Sequence, residues 1–127
     1  MAIETAVHTI VHYEIPAKDP AGLKTFYGDV FGWQFGSAPG MDDYYMADPS
    51  GTRGLAVAVF TKQNEGHVPT NYISVEDVKR YADKVTAAGG TLIHTFTVTA
   101  MGHGAVALDP EGNVVGLWQA DDTAKES

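Results

Sequence analysis

The second half of this chain repeats the plan of its first, and that repetition restricts the fold more than any other feature. Asp19 opens an amphipathic stretch that Gly32 closes, and Asp77 opens another that Gly90 closes. Both ends are displaced by 58 residues (77 − 19 and 90 − 32). Asp48-Pro49-Ser50-Gly51 is answered by Asp109-Pro110-Glu111-Gly112, 61 residues further on (109 − 48). Neither half is long enough to bury its own apolar face, so the two are expected to pack together as one domain of 127 residues. Paired sheets of this kind leave a cleft, which is where function is sought.

Within each half the pattern reads strand, helix, then three strands. Thr9–Ile15 is β-branched and aromatic, and Pro16 is expected to end it. Asp19-Pro20 supplies a cap acceptor followed by proline at the first helical position. Leu23, Phe26, Tyr27, Val30 and Phe31 then fall at i, i+3, i+4, i+7 and i+8, and Gly32 stops the helix. Short strands are predicted at Trp33–Phe35, Asp43–Met46 and Gly54–Phe60, with turns at Gly36–Gly40 and Asp48–Gly51. After a polar connector over Thr61–Thr70 the plan recurs. A strand spans Asn71–Val75, and Val78, Tyr81, Ala82 and Val85 form a helical stripe. Strands follow at Thr91–Val98, Ala105–Asp109 and Val114–Gln119. The modules are placed at about residues 9–60 and 70–119, with 121–127 a frayed polar tail.

Composition narrows the partners. A net charge of −8 disfavours nucleic acid and anionic membranes, which require a basic footprint. There is no cysteine, which removes disulfides, thiolate metal sites and cysteine nucleophiles. Met1–Ile10 lacks the basic start of a secretion signal, and no apolar run approaches the ~20 residues of a membrane span. The expected location is the cytoplasm.

Val11-His12-Tyr13-Glu14-Ile15-Pro16, then Asp19, Phe26-Tyr27 and Phe31-Gly32-Trp33, resemble the opening of the vicinal oxygen chelate superfamily. That group includes glyoxalase, bleomycin-resistance and extradiol-dioxygenase proteins. Asp109-Pro110-Glu111-Gly112-Asn113-Val114-Val115-Gly116-Leu117-Trp118 resembles its last hairpin. The resemblance runs from about Val11 to Gln119. It implies an α+β fold of two βαβββ modules, whose curved mixed sheet surrounds a cup with helices on the outer face. It also implies a homodimer. Catalytic members hold a divalent metal in the cup with His, Gln or Glu from four strands. In this chain His12 stands at the first such position. Thr70 or Asn71 stands where the second module would carry His, and Gly116 where the last hairpin would carry Glu. Leu55–Phe60, on the fourth strand of the first module, offers no ligand. One filled position of four does not hold zinc, nickel or iron tightly, so no resident metal is expected.

The expected function is therefore binding of a small, partly aromatic or apolar organic molecule without a tightly held metal. The alternative is a metal-dependent lyase, isomerase or dioxygenase of the glyoxalase type. No catalytic residue is assigned. The candidate ligand-binding residues are His12, Glu14, Tyr45, Asn71, His94 and Trp118. His12 and Glu14 share a strand face about 7 Å apart. Tyr45, rather than Tyr44, is taken as the inward residue of the pair. His94 is expected on one face with Leu92 and Phe96. Trp118 alternates with Gly116, whose missing side chain is expected to open room beside the indole. His103, between Gly102 and Gly104, reads as a loop residue, and His8 and His67 as surface residues.

Overall fold

A computed structural model describes residues 8–37, 40–47 and 56–125. The Asp48–Gly51 turn, the start of the strand expected at Gly54, and Leu55 lie outside the described residues. Two compact units are present. One comprises residues 11–70, and the other residues 8–10 with 71–125. Each is a βαβββ module, and together they make the expected α+β fold.

The first unit contains β1 (Ile10–Ala17), α1 (Pro20–Phe31), β2 (Gly36–Ser37), β3 (Tyr44–Ala47) and β4 (Ala56–Thr61). Its strands lie in the order β2-β3-β4-β1, with β1 and β4 parallel and the other pairs antiparallel. Proline does not end β1. Pro16 stands opposite Phe60 and Ala17 opposite Thr61, because the fixed φ of proline suits extended backbone even though it removes a donor. Asp19 caps α1 by accepting from the Gly22 amide at 3.1 Å, and Gly32 ends it at φ 73°. Trp33–Phe35 is not a strand. Those aromatics serve the core instead: Tyr27, Trp33 and Phe35 pack with Leu23 on Ile15, Ala17, Val57 and Val59. The Trp33 ring stacks on Tyr27 at 5.4 Å.

The second unit contains β5 (Thr70–Ser74), α2 (Val78–Ala87), β6 (Thr91–Val98), β7 (Gly102–Leu108) and β8 (Val114–Ala120). Its order is β5-β8-β7-β6, with β5 and β8 parallel and the rest antiparallel. The Asp77 carboxylate accepts from the amides of Lys79 and Arg80, and the Gln119 side chain accepts from Val78 at 2.9 Å. All three bonds satisfy donors that a helix start leaves open. Val75, Val78, Ala105 and Leu117 form the core under α2, with Tyr81 and Val85 packed against it.

Three expectations are corrected here. β7 begins at Gly102, so His103 is a strand residue rather than a loop residue. A register shift between Leu92 and His94 pairs Leu92 with Ala107 and His94 with Val106. Neighbouring β7 residues face opposite sides, so this bulge puts Leu92 and His94 on opposite faces. The tail is not frayed over 121–124. Asp121 N–H donates to Met101 O, Ala100 N–H donates to Ala124 O, and Ala124 is 3% exposed. Among the described residues no helix is long and apolar enough to cross a membrane.

Candidate functional site

Alternation along β1 turns Tyr13, Ile15 and Ala17 toward α1 and leaves His12 and Glu14 on the opposite face of the first unit. On that face the Tyr44 hydroxyl donates to Glu14 Oε2 at 3.0 Å and meets His12 Nε2 at 3.1 Å. His12 Nε2 and Glu14 Oε2 are 3.7 Å apart. A phenol has one proton. With that proton on the bond to Glu14, the Tyr44 oxygen accepts from His12, so Nε2 carries a hydrogen. The side chains of His12 and Glu14 are 19% and 16% exposed, which keeps the bonds short of full competition from water. The result is a polarised imidazole–phenol–carboxylate chain able to hold a proton or present one to a bound molecule. Phe60 flanks it, 5.4 Å from the Tyr44 ring, and His67 meets Phe60 edge-on at 5.0 Å.

The tyrosine expectation is thereby corrected. Tyr45 pairs with Val59, which is fully buried under α1, and Lys24 Nζ lies 4.4 Å from its ring. Tyr44 is the residue that joins His12 and Glu14. Adjacent strand residues always face opposite ways, and choosing between them needs the β3–β4 register, which the sequence does not display. His67, expected at the surface, is half-buried and accepts from the Gln63 amide at 3.1 Å.

In the second unit, the face opposite α2 carries an inlay of rings on glycines. The Tyr72 ring lies where a Cβ of Gly116 would stand, Phe96 where one of Gly104 would, and Trp118 where one of Gly102 would. Phe96 and Trp118 are 6.5 Å apart and 33° from parallel. Tyr72 meets Phe96 edge-on at 6.3 Å, and His94 lies 5.9 Å from Phe96. Rings seated on bare backbone lie low, so they form a platform rather than a wall. His94 and Trp118 are thus brought onto one surface by Phe96. Asn71 is exposed at the start of β5 and alternates away from Tyr72, so it does not join them. The room expected beside Trp118 at Gly116 is filled by Tyr72.

The donors present do not fit a resident metal held in the superfamily's manner. Gly116 lies under a ring, the Thr70 hydroxyl donates to Val68 O at 3.0 Å, and residues 56–60 carry no ligand side chain. Among the described residues no group of three or more His, Cys, Asp or Glu is placed to hold an ion.

Comparison with known proteins agrees with this architecture. The family model of the Glyoxalase/Bleomycin resistance protein/Dioxygenase superfamily matches residues 9–117. The chain belongs to that superfamily. Two curated relatives, both named "Putative glyoxylase CFP32", from Mycobacterium bovis and Mycobacterium tuberculosis, are 34% identical over 115 residues. The match covers 85% of this chain and 44% of each relative, so the chain spans less than half their length. Among solved structures, methylmalonyl-CoA epimerase of Mycobacterium tuberculosis superposes with a TM-score of 0.69 at 16% identity, covering 94% of this chain and 93% of that one. A glyoxalase/bleomycin resistance protein/dioxygenase superfamily member from Vibrio splendidus does so with a TM-score of 0.64 at 16% identity, covering 91% and 100%. At such identities the likeness is one of fold.

Proposed function

We propose that this protein binds a small organic molecule with a flat aromatic or apolar portion, and does so without a resident metal. The observation that carries this reading is the ring inlay of the second unit. Gly104 and Gly102 let Phe96 and Trp118 lie against the sheet half-buried, with ring surface left for stacking, while Tyr72 on Gly116 is buried and packs edge-on against Phe96. The polar chain of the first unit gives the same protein a place to hold a hydroxyl or carbonyl. Binding is tested by fluorescence in a Trp33→Phe background, which leaves Trp118 as the reporter, with 8-anilinonaphthalene-1-sulfonate as the flat probe. Quenching of Trp118 and a loss of affinity of at least tenfold (about 1.4 kcal/mol) in Trp118→Ala support the reading. Affinity unchanged by Trp118→Ala removes the platform from it.

A second reading is favoured by the His12–Tyr44–Glu14 chain: an isomerase or lyase of the glyoxalase type that moves a proton at a carbon next to a carbonyl. The curated relatives' names support this class. Elemental analysis of protein purified without chelator separates the two readings. Stoichiometric nickel, zinc, manganese or iron retained through dialysis favours the enzyme and overturns the first. The protein is taken to act in the cytoplasm as a homodimer.

A further inference from the structure

On the α2 side of the second unit's strands, the face opposite Phe96 and Trp118, His103 links two groups. Its Nε2 is 3.1 Å from Asp121 Oδ2, and its Nδ1 is 3.0 Å from the Thr97 hydroxyl. An ionised carboxylate only accepts, so Nε2 carries the hydrogen and Nδ1 presents its lone pair. The Thr97 hydroxyl therefore donates to Nδ1. This is the tautomer in which an imidazole polarises an alcohol. Asp121 is itself fixed: its Oδ1 accepts from Thr123 N–H at 2.9 Å and from Thr123 Oγ1 at 2.6 Å. Those bonds and the His103 contact hold its carboxyl below the usual value of 3.8, so it remains an anion across neutral pH. Thr97 and His103 both line a groove of about 750 Å³ beside α2. Val78, Ala82 and Leu92 give that groove an apolar side, and Lys79 and Asp83 bring one charge of each sign to it.

We infer that Thr97, His103 and Asp121 form a nucleophile, base and orienting carboxylate for hydrolysis of small esters carrying a short apolar acyl group, at a site on the face of the second unit that carries α2. Thr97 Oγ1 attacks the ester carbonyl carbon as its proton passes to His103 Nδ1. The ester C–O bond breaks, and the alcohol leaves with that proton, so the acyl group stays on Thr97. A water then gives a proton to Nδ1 and attacks the acyl carbon. The carboxylic acid leaves, and Thr97 recovers its hydrogen. Asp121 touches no substrate. It is a positioning residue that keeps Nδ1 deprotonated and aimed, in the division of roles that serine–histidine–aspartate sites use.

The competing explanation is that the three residues only staple the 121–124 segment to the β6–β7 hairpin. The probe is p-nitrophenyl acetate, with the full chain and three variants whose fold is checked by circular dichroism. Thr97→Val keeps the shape and removes the hydroxyl. His103→Gln keeps a donor for Asp121 and removes the base. Thr97→Ser keeps the hydroxyl and relieves its crowding. The inference predicts p-nitrophenolate release at least tenfold faster in the wild type than in Thr97→Val or His103→Gln. It further predicts full or increased activity in Thr97→Ser and an acyl adduct on residue 97 by mass spectrometry. Release by the wild type no faster than by Thr97→Val overturns it. So does an adduct on any other residue, because a staple alone shows neither the serine rescue nor acylation of residue 97.

Discussion

Replacing Gly116 with any other residue sets a Cβ against the Tyr72 ring, in a strand where both partners are held by the ladder. The Gly116→Ala variant is therefore expected to lose about 1–3 kcal/mol of stability, measured as a lower urea midpoint. In a Tyr72→Ala background the same change costs much less, because the two residues share one space. The same contact rules on metal binding. Gly116→Glu, which would restore the superfamily's last ligand, collides with Tyr72 rather than gaining an ion. Tyr44 offers a second test. Tyr44→Phe removes the oxygen between His12 and Glu14 while keeping the ring against Phe60, for an expected loss of about 0.5–1.5 kcal/mol. The pairing of His12 with Glu14 was legible in the sequence, since period two alone puts them on one face. The participation of Tyr44, and the seating of rings on glycines, depended on which residues of distant strands stand side by side.

Helices and turns were the more readable elements because their signals are local. Both caps were visible as aspartates at the same offset, and both act as caps. Asp77 satisfies two amides where Asp19 satisfies one. Asp77→Ala is expected to lower stability by about 1 kcal/mol and to exceed Asp19→Ala in thermal melts. The Asp109–Gly112 turn was also read correctly, and the reason lies in its hydrogen bonds. Asp109 accepts from the amides of Glu111 and Asn113 and from the Asn113 side chain. The Asn113 amide first, then its side chain, holds the Asp109 carboxyl below 3.8. A carboxylate whose folded value is depressed stabilises the fold above its unfolded value, and that stability is lost as pH falls through the folded value. Asp109→Asn is therefore expected to flatten the decline in stability below about pH 4, followed by denaturant midpoints across that range. Strands were harder to read. Trp33–Phe35 has strand chemistry but is spent on the core, and the bulge before His94 reverses one face of β6 without a glycine or proline to announce it.

Taken as a whole, the molecule was legible as a member of its superfamily because start, middle and end of the chain agree in order. What the repeat did not show is where its two copies have diverged, and that difference bears on assembly. Phe26, Val30 and Phe31 of α1 are 53%, 55% and 58% exposed. At the repeat offset of 58 residues their counterparts are Lys84 on α2, with Ala88 and Gly89 just past its end, none of them large and apolar. Three large apolar side chains kept in water at one helix, in a chain of net charge −8, favour a second copy as the cover, since no charge on these side chains opposes the approach. Light scattering is expected to give about twice 13.5 kDa. Like-charged protomers repel at long range and apolar contacts do not weaken with salt, so the dimer fraction should rise between about 0.01 and 0.15 M ionic strength. Phe31→Glu places a carboxylate in the proposed contact and should shift the protein toward monomer at fixed concentration. A dimer that ignores this change and weakens with salt would have to be built on ion pairs elsewhere.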